Sequence, residues 1–217
     1  MKRRDFFKKS SIAISAAALS GIPGISFSKP AANPVYNTQN FSLEIITDRP
    51  DKAVKLSEEF LKNYYKENTI IKFSEYPITG NSFGDIVFVR NGKLINFKEG
   101  SDDLKKDIRI IAGSLSLPKK LINPSRIRFY LSGNKAPAER ILVFHKNVLI
   151  RSINTGGRDA VINLNGSKGN LILNIESNKA RVLESSCTHK TCINSGSIAF
   201  SGESIVCIPN ELMILCE

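Results

Sequence analysis

The chain has 217 residues, 41% hydrophobic and 24% charged, which excludes a disordered chain and leaves room for one large domain or two small ones. Its net charge of +11 reflects 31 Lys and Arg against 20 Asp and Glu, and five of those bases (Lys2, Arg3, Arg4, Lys8 and Lys9) crowd the start with only Asp5 against them. The remaining bases are spread as solvated surface lysines would be, and no arginine-rich helix or aromatic-basic ladder points to nucleic acid.

Residues 1–28, "MKRRDFFKKSSIAISAAALSGIPGISFS", read as an export leader: a basic start, an apolar middle and a helix-breaking "GIPG". "IAISAAAL" is too short and too mildly apolar to be a strong membrane span. Arg3, Arg4, Phe6, Phe7 and Lys8 resemble the twin-arginine signal. That resemblance implies passage of an already folded protein through the Tat translocase into the periplasm, where disulfides persist. Ser26 and Ser28 suit cleavage after Ser28, and contact with the membrane is expected only if the leader stays on.

Residues 29–40, "KPAANPVYNTQN", read as a linker. "FSLEIITD" reads as a strand, and after it Ala53, Leu56, Phe60 and Tyr64, with Val54 and Leu61, recur at helical spacing. "TIIKFSEY" and "GDIVFVRNGKLINF" read as strands, the latter a hairpin turning at Asn91-Gly92. Ser101 is placed to cap a second helix, with Asp102 and Asp103 in its first turn and Leu104, Ile108, Ile111 and Leu115 on its apolar face. "LPKKLINPS" ends that helix, and "RIRFYLSG" is a further strand. The sequence thus predicts a small α+β domain over 41–134, with no histidine, cysteine or glycine-rich phosphate loop.

From about 138 the pattern changes to short strands split by Gly, Asn and Ser, with turns expected at Asn165-Gly166 and Ser177-Asn178. This predicts a small all-β barrel or sandwich over 138–217, a size at which a cross-link helps stability. It holds all four cysteines, three of them between Ser185 and Glu211. His145 falls in an apolar strand and reads as a surface or satisfied core histidine.

The motifs "NKARVLESSC", "CTHKTCINSGSI" and "GESIVCIPNELMI" resemble the NusG domain II family, with Cys187, Cys192, Gly196, Ile198, Ile205, Val206, Cys207, Pro209 and Asn210 on the family pattern. Thr188 and His189 depart from it, for members more often carry Pro and an acidic residue there. The resemblance implies a small β module and, for exported members, a stand-alone domain sometimes found beside redox systems. A role in transcription is not implied, because the other NusG domains are missing from the motifs read here.

Four cysteines permit three full pairings. We expect a disulfide between Cys187 and Cys192, with Cys187–Cys207 and Cys192–Cys207 as alternatives and Cys216 as a buried apolar residue or free thiol. The competing use of the cluster is a metal. "CTHKTC" resembles the first Rieske box, with Cys187 and His189 as ligands, but Pro209 and Asn210 stand where its second half needs Cys and His. Zinc held by Cys187, His189, Cys192 and Cys207 is the other metal possibility. The expected function is therefore a non-catalytic, exported accessory protein bound to a protein partner in the cell envelope, without a cofactor. An iron-sulfur or zinc protein is the alternative, and a thiol-disulfide enzyme the third reading.

Overall fold

The computed structural model describes residues 10–13, 41–65, 70–131 and 136–217. They form two compact units that part at residues 132–133. The described chain is mostly β-sheet with few helices. Among the described residues no helix is long and apolar enough to cross a membrane.

The chain up to residue 131 runs β1 (Ser10–Ala13), β2 (Phe41–Thr47), α1 (Pro50–Tyr64), β3 (Ile70–Pro77), β4 (Asn81–Gly84), β5 (Ile86–Arg90), β6 (Lys93–Leu94), α2 (Asp103–Ser114), β7 (Lys119–Ile122) and β8 (Ser125–Leu131), all in the first unit but β6, which groups with the second. Of the expected leader, only Ser10–Ala13 is described, as a strand antiparallel to β3. Arg3, Arg4, Phe6, Phe7 and Lys8 lie outside the described residues, as does the linker at 29–40. The main sheet has the order β1-β3-β8-β2-β5-β6. β2 is buried along its whole length because it sits inside this sheet, flanked by β8 and β5.

Pro50 opens α1, where a missing N–H costs nothing, and Ala53, Leu56, Phe60, Leu61 and Tyr64 are buried, as their spacing predicts. The second helix starts one residue later than expected. Asp102, not Ser101, is the cap, its carboxylate accepting the Lys105 N–H at 3.1 Å. The helices and the sheet share one core, in which Phe60 meets Phe88 edge-on at 5.9 Å and Phe73 lies 5.5 Å from Phe129. The buried Tyr64 hydroxyl donates to Asp107 at 2.8 Å and ties α1 to α2. Residues 119–122, expected as part of a break, form β7 and pair with β4.

The second unit runs β9 (Arg140–His145), β10 (Val148–Asn154), β11 (Ala160–Gly166), β12 (Gly169–Glu176), β13 (Lys179–Ser185), α3 (Thr191–Asn194), β14 (Ser204–Cys207) and β15 (Leu212–Cys216). Its strands form two sheets, β10-β9-β15-β14 and β11-β12-β13. Alternate residues of both (Ile141 and Val143; Leu171, Leu173 and Ile175; Leu212, Ile214 and Cys216) enter a single core, the period of two that strands impose. Ser177 and Asn178 form the β12–β13 turn, both with positive φ, as expected of a tight hairpin. The β11–β12 turn falls at Ser167-Lys168 rather than at Asn165-Gly166, which belong to β11. "GSIAF" makes only isolated bridges, Ala180–Ile198 and Pro137–Phe200. The short α3 has no periodic signal that a sequence could show.

Phe129 is fully buried where sheet and helices meet. Phe129→Ala should therefore cost about 3–5 kcal/mol. Urea denaturation should show it as a shifted midpoint with little change in slope.

Candidate functional site

Two strand ends, a single helical turn and the turn after β14 assemble the site. β13 ends at Ser185, two residues before Cys187. Lys190, in a left-handed conformation, starts α3, which carries Cys192. β14 ends on Cys207, and the turn to β15 carries Pro209 and Asn210. Gly196, expected at a turn, follows α3 with φ of 71°, a conformation that suits glycine.

The sulfurs of Cys187, Cys192 and Cys207 all lie within 4.8 Å of one another. These residues are 4%, 1% and 2% exposed, so the trio belongs to the core. All four cysteines are free thiols. The expected Cys187–Cys192 pair stands at 4.0 Å between sulfurs, compared with about 2.0 Å for a disulfide bond. Cys216 is buried in the same core but lies outside the trio.

His189 does not join the cluster either, so the four-ligand zinc set is not assembled. A Rieske-like centre is likewise not matched, because it needs two imidazoles beside two thiolates and here three sulfurs converge. His145 is elsewhere, its Nε2 3.1 Å from Ser167 Oγ. The Ser167 hydroxyl donates to Glu211, and with Lys146 behind it holds that carboxyl below its usual range. This is a surface network rather than a nucleophile and base, since the carboxylate accepts the serine hydrogen bond instead of orienting the imidazole.

Two residues without an expected chemical role organise the trio. Asn210 is fully buried. Its N–H donates to the Cys207 sulfur, and its side-chain amide donates to Ser185 Oγ at 3.3 Å and to the Asn170 carbonyl at 3.5 Å. Its own carbonyl accepts the Ser167 N–H at 3.1 Å. Ser185 Oγ also accepts the Cys187 N–H at 3.3 Å and lies 3.8 Å from the Cys207 sulfur. The signal was present in "ESSC" and "CIPN", but only the fold shows that these motifs bond each other.

The sulfurs are electrostatically unequal. Hydrogen bonding from the Cys192 thiol, then from the Asn210 N–H and the Cys187 and Ser185 side chains, outweighs burial and lowers the Cys207 thiol to about 6. Cys192 is pushed far up, first by its bond to Cys207, then by burial and the neighbouring sulfur charge. Of these two sulfurs, Cys207 is the one whose surroundings favour the thiolate.

The NusG domain II family model matches residues 108–217. The chain belongs to the NusG domain II family. The NusG domain II match begins within α2, upstream of the β unit to which the motifs confined it. Solved structures similar to this chain include a DUF1312 family protein from Enterococcus faecalis V583, at 22% identity and a TM-score of 0.34 over 36% of this chain and 94% of that one. A DUF1312 family protein from Ruminococcus gnavus ATCC 29149 gives 22% identity and a TM-score of 0.33 over 36% and 96%. The Lin0431 protein from Listeria innocua gives 16% identity and a TM-score of 0.34 over 37% and 94%. No curated protein matches the chain.

A Cβ at Gly166 would sit 2.5 Å from Asn210 Cβ and 2.6 Å from its carbonyl oxygen. Gly166→Ala must displace the turn that donates to Cys207. Ultraviolet titration of thiolate in the reduced wild type should show one midpoint near 6 and no second ionisation from Cys192 in the neutral range. The first midpoint should move towards ordinary thiol values in Gly166→Ala, with about 1–3 kcal/mol of stability lost.

Proposed function

We propose that this NusG domain II protein is an exported, non-catalytic accessory protein of the cell envelope that binds a protein partner through its second unit. Its first unit reads as a small α+β domain. Residues 1–28 serve as a twin-arginine leader that directs the folded chain to the periplasm. Cys187 and Cys192 are near enough to close as a staple if the thiols are oxidised there, and association with a redox system fits such a site.

The observation that carries the binding role is the surface of β10. This is an edge strand, paired with β9 on one side only. Val148, Leu149 and Ile150 are 64%, 51% and 44% exposed in succession. Three adjacent exposed apolar side chains on a sheet edge cost solubility unless something covers them. A register shift between Leu149 and Arg151 breaks the regular ladder. Such a bulge disfavours simple strand addition, so the partner engages the side chains of the patch rather than extending the sheet.

A photo-crosslinker at Val148 in envelope preparations should capture one protein. The purified partner should then bind Leu149→Lys/Ile150→Lys at least about tenfold more weakly, with thermal unfolding unchanged. Equal affinity for wild type and variant would end this reading. Export is tested separately. Arg3→Lys/Arg4→Lys should leave the protein in the cytoplasm, as cell fractionation would show, and normal export of that variant would exclude the twin-arginine route.

A further inference from the structure

We propose that the reduced trio, Cys187, Cys192 and Cys207, holds one monovalent copper ion as a three-thiolate site. The trio is the one place among the described residues where three or more metal-ligating side chains converge with their ligand atoms within 4.8 Å. Three separate elements, the β13–α3 loop, α3 and β14, bring these sulfurs together.

The donor set selects the metal. Three sulfurs with no nitrogen or oxygen ligand favour a soft ion. Structural zinc takes four ligands, and the expected fourth, His189, is not in the cluster. A d¹⁰ monovalent ion is content with three. A planar array of three thiolates at about 2.3 Å from a central ion spaces the sulfurs about 4.0 Å apart. Cys187 and Cys192 already stand at 4.0 Å. The other two separations are no more than 4.8 Å, so the trio is already close to the spacing that a three-coordinate ion needs.

The surroundings suit a thiolate cluster. The Asn210 N–H and the Ser185 hydroxyl are directed to the Cys207 sulfur, a role that outer-shell donors play for metal-bound thiolates. Lys190 Nζ donates to the carbonyl of Ser185, whose hydroxyl meets the Cys207 sulfur. Asn210 Oδ1 is buried with no hydrogen-bond partner, an unexplained polar atom in this same shell. On binding, Cu⁺ forms three copper–sulfur bonds, and each sulfur that is still a thiol releases its proton to solvent, giving a site of net charge −2. No electron is transferred. A Cys187–Cys192 disulfide would remove two ligands, so staple and ion are mutually exclusive uses of the same sulfurs.

The test uses the full chain, fully reduced and kept anaerobic, with copper supplied as its cuprous acetonitrile complex in competition with a cuprous chelator. One equivalent should be retained, with sulfur-to-copper charge-transfer absorption and an X-ray absorption shell of three sulfurs at about 2.3 Å. Cys187→Ser, Cys192→Ser and Cys207→Ser should each lower the affinity more than about 100-fold, while Cys216→Ser and His189→Ala should leave it unchanged. Failure of the wild type to compete with the chelator would overturn the proposal without involving a variant that folds poorly. So would a histidine-containing shell, or cobalt(II) uptake that depends on His189. The β10 crosslink does not depend on any of these results, so the two readings can fail separately.

Discussion

Asn210 is buried in the turn between β14 and β15, and it hydrogen-bonds in several directions at once. Its N–H reaches the Cys207 sulfur, its side-chain amide reaches Ser185 at the end of β13, and its carbonyl takes the Ser167 N–H of the β11–β12 turn. The two sheets of the second unit are thereby held together at the end where the sulfurs lie. These bonds offset much of the cost of burying the residue, although its Oδ1 has no partner. The relative position of Cys187 and Cys207, and so any chemistry of the trio, depends on that arrangement.

Most of the scaffold could be read from the chain because local rules and global packing agree. Helical spacing places Phe60 and Ile108 correctly, and the Ser177-Asn178 turn has the backbone such a hairpin needs. The errors occurred where a neighbour in space decides. Gly166 looked like a turn residue and is instead a strand residue kept small by Asn210. Ser101 lost the cap to Asp102, a one-residue contest between two good caps. β4 and β7 are too short to be seen alone and exist because they pair with each other.

The site was legible as a set of cysteines but not as an arrangement. Spacing brought Cys187 and Cys192 together and suggested His189 as a neighbour by its place between them. In the fold Cys192 sits in α3, and the third sulfur of the group is that of Cys207, fifteen positions beyond it. The inequality between Cys192 and Cys207 comes first from the hydrogen bond between them and then from burial, with the Asn210 N–H of the following turn adding to it at Cys207. Family resemblance marked Asn210 as part of a motif, and only geometry shows what it touches.

The position of β15 has a consequence in time. It lies between β9 and β14, with Leu212 opposite His145 and Cys216 opposite Ile141. β14 thus reaches β9 only through a strand synthesised roughly seventy residues after β9, a high contact order that delays closure of the core. Cys187, Cys192 and Cys207 have all been made before β15 pairs with β9. β14, which ends on Cys207, has no partner strand until β15 is made. The strand that carries Cys207 is therefore held in the sheet by the segment that follows it in the chain.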